Sequence, residues 1–174
     1  DGAIGRILGP SCTDNFQTVS PRFTYSGLEW YSVEQAFQAL KFPSESNARS
    51  GIHAASPNVG ESDDEYGMRV WRLGRFAEGM RDDWDQEKVK IMLLLNLAKY
   101  ASDSSFQEDL METGNQRIEG QDSTWEWKYW NSCTQMLIRK LLHSQEDLHS
   151  VSADVENMTS DEVEIMLAGA NSHD

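Results

Sequence analysis

Residues 82–102, DDWDQEKVKIMLLLNLAKYAS, carry the strongest helical signal in the chain. Acids sit at its start, and Val89, Met92 and Leu95 lie on a broad apolar face. A face that wide has to be buried, and 174 residues suffice for one domain with a real core. The longest apolar run inside it, IMLLLNLA at 91–98, is far too short to span a membrane, so no membrane partner is expected. Four further helices are expected: one from Val33, a weaker one over 45–55 interrupted by Gly51, one over 104–114, and one over roughly 126–142. In the third of these, Ser105 and Glu108 form an S-x-x-E box and Gly114 is a natural stop. RFTYSGLEW at 22–30 reads as a short hairpin around Ser26-Gly27, and 56–67 as a polar loop. No βαβ alternation is present, which argues against a doubly wound sheet. The expectation is an α+β fold, predominantly helical, with a single domain over 1–142 and a small N-terminal β hairpin.

Charge separates the rest. Residues 143–174 hold eight acids and no Lys or Arg, whereas 1–142 hold all fifteen basic residues against twenty-one acids. This acidic tail reads as disordered, apart from one short helix over 160–168 capped by Thr159 and Glu162. A net charge of −14 argues against a protein that grips long duplex DNA through its phosphates, but leaves room for a pocket that takes one nucleotide or a single base. The cysteines, Cys12 and Cys133, suit a reducing compartment, and no signal peptide is visible, so an intracellular protein, cytoplasmic or nuclear, is expected. The first residue is Asp1 rather than Met, so a preceding targeting segment stays open. His53, His143, His149 and His173 are scattered and no paired-cysteine motif occurs, so no metal site is expected.

SVEQAFQALKF, residues 32–42, places an acid seven residues before an amine. At about 100° per residue, seven steps fall about 20° short of two turns, so Glu34 and Lys41 share a face, with Gln38 between them and Phe37 beside it. Ser32 and Gln35 cap the helix, Glu34 lies in its first turn, and Pro43 ends it. Taken alone, the pair reads as the solvated edge of an amphipathic helix. WEWKYWN at 125–131 has the aromatic density either of a base-stacking surface or of a core edge, and Trp84 shares that ambiguity. Arg75, after Gly74, and Arg81 have the forks that suit phosphate, though surface arginines are common. Glu119 and Asp122 offer two acids on a loop, either a glycosidase-like pair or solvated charge.

The order of these pieces is more telling than any one. DNF at 14–16, G-x-x-W-x-S-V-E-Q-A-F-Q-A-x-K-F at 27–42, GR at 74–75, RDDW at 81–84, K-x-x-x-M at 88–92, AKY at 98–100 and TGNQRIEG at 113–120 occur in series. This series resembles the NADAR (YbiA-like) family over about residues 14–142. The resemblance implies an N-glycosidase that needs no cofactor. It implies Glu34 and Lys41 as catalytic residues, Trp84 as a pocket wall, and Asn15, Arg75 and Glu119 as substrate contacts. Phe16, Phe37, Gln38, Arg81, Asp122 and Trp125 are expected around them. The implied partner is ADP-ribosylated guanine in DNA or RNA, or an ADP-ribose-like nucleotide. A phosphoribosylamino intermediate of riboflavin synthesis is an alternative substrate, and a non-catalytic ADP-ribose reader an alternative function. At 120–131 the chain departs from the glycine-rich pattern of many bacterial members, having GQDSTWEWKYWN instead.

Overall fold

A computed structural model describes residues 6–172. In chain order the elements are β1 (Arg6–Leu8), β2 (Phe23–Tyr25), β3 (Leu28–Trp30), α1 (Val33–Leu40), α2 (Asn47–His53), α3 (Asp63–Phe76), α4 (Trp84–Ser102), α5 (Ser104–Glu112), β4 (Arg117–Glu119), α6 (Trp125–His143), α7 (Leu148–Asn157) and α8 (Ser160–Asn171). The fold is α+β and predominantly helical, as the residue patterns imply. β2 and β3 form the expected hairpin, pairing Phe23 with Trp30, and Ser26 and Gly27 both take positive φ at its turn. A second sheet was not legible: β1 pairs in parallel with β4, Ile7 opposite Ile118.

α4 organises the interior because it is apolar nearly all round. One side, through Trp84, Ile91, Met92 and Leu95, packs into a cluster with Trp30 of the hairpin and Val33, Phe37 and Leu40 of α1. The other side, through Val89, Leu93, Leu97 and Tyr100, packs into a cluster built from α5, α6, α7 and α8. Cys12 and Cys133 are buried there as free thiols.

Three expectations are corrected. The loop expected over 56–67 ends early, because α3 begins at Asp63 behind a full capping box in which Ser62 and Glu65 bond each other's backbone. Gly74 and Arg75 therefore lie in the last turn of a helix and not in a glycine-spaced loop. The segment after 143 is not a disordered tail: α7 and α8 bury Leu148, Val155, Val163 and Leu167 in the core, and α8 runs to Asn171 from its Thr159–Glu162 box. The acid at Asp174 and residues 1–5 lie outside the described residues. Two caps also differ. Asp103, not Ser105, caps α5 by accepting from Ser105 N–H at 2.8 Å. Gln35 does not reach back to Ser32; its Oε1 accepts from Tyr31 N–H and its Nε2 donates to the carbonyls of Ile52, His53 and Ala55.

Candidate functional site

All eight residues of α1 are buried, the polar ones included. Glu34 is thus no solvated edge: only 7% of its surface is exposed. Its N–H donates to Asn15 O at 2.9 Å, and its carboxyl accepts from Gln38 Nε2 at 2.6 Å. Burial pushes the carboxyl up to about 7, against the downward pull of the Gln38 bond and of Lys41; Asp14 adds a small push up. Lys41 follows the last turn of α1, half-buried, its Nζ 5.9 Å from the centre of the Phe37 ring. Its pKa is held below the usual lysine value, chiefly by burial; Glu34 opposes this and Arg75 adds to it. The two groups feel each other's charge, yet no ion pair joins them among the described residues. Each is thus displaced toward its neutral form, the arrangement in which an acid can donate and an amine can attack.

Aromatic rings close one side. Phe37 lies 4.8 Å from the ring of Trp84, itself buried, and 5.2 Å edge-on from Trp127. Residue patterns singled out Trp125; the structure instead leaves Trp125 83% exposed, stacked on Tyr129, and gives Trp127 the contact with Phe37. Two glycines bring α3 against this region. A Cβ at Gly74 would come within 2.9 Å of Gln38 Cβ, and one at Gly67 would strike the Phe16 ring. Phe16 thus packs on α3, while its N–H bonds the Asp14 side chain at 2.8 Å.

The remaining expected residues are spread more widely. Arg75 is exposed, its guanidinium 5.6 Å over the Trp71 ring, and its charge reaches Lys41. Arg81 supports the site through its backbone, donating to Lys41 O at 2.8 Å, while its guanidinium forks onto Asp83 at 2.5 and 2.6 Å. Glu119 ends β4 beside Arg117, 3.9 Å away, and Asp122 is exposed at positive φ. The adjoining Gly120 N–H donates to Ser132 on α6.

Residues to which no motif gave a role hold the DNF loop in place. Lys99 is fully buried and donates to Cys12 O at 2.8 Å and Asp14 O at 3.0 Å; burial pushes its pKa down to about 8. Asn15 is clasped by Asn96 of α4 and Asn131 of α6, both at 3.2 Å. The AKY block contains Lys99 but not the reason for it, which is a pair of loop carbonyls needing donors. Among the described residues no cluster of His, Cys, Asp or Glu is placed to hold a metal, and no helix is long and apolar enough to cross a membrane.

Against known proteins, the family model described as the NADAR domain matches residues 9–133. The NMR structure of the E. coli protein YbiA is similar, at TM-score 0.63 and 20% identity, over 82% of this chain and 87% of that one. No curated protein matches the chain.

Proposed function

The chain belongs to the NADAR domain family, which includes N-glycosidases, and we propose that it hydrolyses the bond between ribose C1″ and the nitrogen of an ADP-ribosylated guanine base in nucleic acid. One observation carries the reading: a buried carboxyl raised to about 7 and a half-buried amine lowered from its ordinary value feel each other's charge beside an aromatic wall.

The pair suits chemistry through a Schiff base. Neutral Glu34 gives its proton to the ribose ring oxygen as the C1″–O4″ bond breaks, and the glycosidic nitrogen's lone pair forms the iminium at C1″. Neutral Lys41 adds its electron pair to C1″. A proton passes from the added ammonium, through the Glu34 carboxylate, to the guanine nitrogen. The C1″–N bond then breaks and the base leaves with that electron pair. The remaining Lys41 Schiff base takes up water, deprotonated by Glu34, and releases the sugar, which restores both groups. Because Gln38 and not Lys41 occupies the Glu34 oxygen, an ionised Glu34 does not lock Lys41 in a direct ion pair. Phe37, Trp84 and Trp127 offer apolar surface that keeps the amine desolvated and suits a flat base.

Borohydride added during turnover of an ADP-ribosylated guanine oligonucleotide should trap the sugar on Lys41, visible by mass spectrometry. Undiminished turnover by Lys41→Ala would remove the Schiff-base route, and undiminished turnover by Glu34→Gln would remove the assigned acid. Running the phosphoribosylamino riboflavin precursor beside it sets the substrate: faster turnover of the precursor overturns the guanine assignment and leaves the glycosidase chemistry standing.

A further inference from the structure

Asn15, half-buried, is one link in a chain of side-chain amides that runs from the buried Gln135 and Asn96 and whose direction is fixed by a single backbone carbonyl. Asn96 Nδ2 donates to Met92 O at 3.0 Å. A carbonyl can only accept, so this side of the Asn96 amide must be its NH2 and its Oδ1 must face the other way. That Oδ1 accepts from Gln135 Nε2 at 3.0 Å, which turns Gln135 Oε1 toward the Tyr100 hydroxyl at 2.7 Å. In the other direction, the second Asn96 N–H meets Asn15 Oδ1 at 3.2 Å. Asn15 is thereby oriented with its NH2 toward Asn131 Oδ1, also at 3.2 Å. Every link donates in the same sense, and the last one, Asn131, is left presenting NH2. No described residue accepts from that NH2, and Asn131 is only half-buried.

Its position is set by two further contacts. Asn131 stands one helical turn after Trp127 on α6, and Trp127 touches Phe37, one turn after Glu34 on α1. Asn15, its bonding partner, holds the Glu34 N–H by its own carbonyl. The chain of amides therefore ends one hydrogen bond from Asn15, whose carbonyl holds the backbone of the acid in the candidate pair.

We propose that Asn131 is a substrate-binding residue, its carboxamide N–H groups fixed by the Tyr100–Gln135–Asn96–Asn15 chain to receive an acceptor oxygen of the ADP-ribosyl group, a sugar hydroxyl or a diphosphate oxygen. This rests on the reading of function above and adds a residue and a ligand polarity to it. A ligand that offers a donor at this point finds no acceptor there. Asn131→Asp is the sharp variant: it keeps the oxygen that Asn15 needs and replaces two donors with a negative charge.

Two measurements test this. Hydrogen exchange of side-chain amides by NMR, on the ligand-free full chain, should show the buried Asn96 and Gln135 slow and Asn131 fast. An Asn131 pair as slow as the others would mean that its NH2 is spent inside the protein and would overturn the proposal. Titration with ADP-ribose should then move the Asn131 amide pair, and Asn131→Asp should weaken ADP-ribose by about tenfold or more with cooperative unfolding unchanged. If ADP alone moves the pair, the acceptor is a diphosphate oxygen; if only ADP-ribose does, it is a hydroxyl of the distal sugar. Wild type binding ADP-ribose and Asn131→Asp binding it equally well would remove this inference alone. Wild type binding none would remove the reading on which it rests, and both would fall.

Discussion

Glu34 is close to neutral at a pH where an exposed glutamate is ionised, and this has a stability consequence of definite sign. The folded chain raises the carboxyl from its ordinary 4.5 to about 7, so it binds the proton more tightly than the unfolded chain does. Stability from the neutral form is fully present below about 4.5 and is lost as pH rises through about 7. At one pKa unit per roughly 1.4 kcal/mol, ionising the buried group costs on the order of 3 kcal/mol. Glu34→Gln should therefore stabilise the chain in urea unfolding at pH 8 and not at pH 4.5, while abolishing turnover. A stability difference that does not change between those two pH values would show that Glu34 titrates as an exposed carboxyl. The same displacement sets the rate profile: the limb that falls with rising pH should lie near 7, where Glu34 loses the proton it has to donate. That Glu34 and Lys41 come near enough to feel each other's charge was legible in a seven-residue spacing. Their burial was not, because it comes from Asn15, Gln38 and α3, and two of these three lie outside α1.

α3 shows the same division between local signal and tertiary cause. Its start was readable: Ser62 and Glu65 stand three apart with the acids Asp63 and Asp64 between them, but two glycines and three arginines downstream masked the helical period. Why those glycines are there appears only when α1 and α3 are packed. In an open helix, Gly→Ala gains about 1 kcal/mol of propensity. Gly169 of α8 meets nothing within 4 Å, so Gly169→Ala should raise the melting temperature by a few degrees. At Gly74 the new methyl would overlap the Gln38 side chain, and overpacking of about 1–3 kcal/mol outweighs the propensity gain. Gly74→Ala should therefore melt lower and, by displacing Gln38 from Glu34, remove a bond that holds the carboxyl down. The falling limb of its rate profile should move to higher pH. A Gly74→Ala chain with unchanged melting temperature and pH profile would mean that α1 and α3 do not meet as closely as the structure has them. Aromatic density in WEWKYWN had likewise announced a special segment without saying which ring faces inward; α6 begins at Trp125, and helical phase then turns Trp127 to Phe37 and Trp125 to solvent.

Across the molecule, the acidic C-terminal segment misled the sequence reading because charge hid a sparse apolar pattern. Leu148 and Val155 stand seven apart, and Val163 and Leu167 four apart, each pair on one helix face, with acids on the others. These helices are bound to the body at polar points as well. Tyr25 donates to Glu156 at 3.0 Å, Lys90 to the carbonyls of Glu156 and Met158, and Ser160 to Glu87 at 2.7 Å. Deleting everything after Ser144 would remove four core side chains, each 4% exposed or less. At about 1.5–3 kcal/mol apiece their loss amounts to roughly 6–12 kcal/mol, which is as large as the whole stability of a typical domain. The truncated chain should therefore show no cooperative unfolding, and its inactivity would say nothing about the site. Leu167→Ala provides the graded version: a loss of about 2–5 kcal/mol in urea unfolding at constant slope, with turnover kept below the new midpoint. A truncated chain that still unfolds cooperatively would mean that the body is stable without α7 and α8. In that case their eight-acid segment would be better explained by charge than by packing.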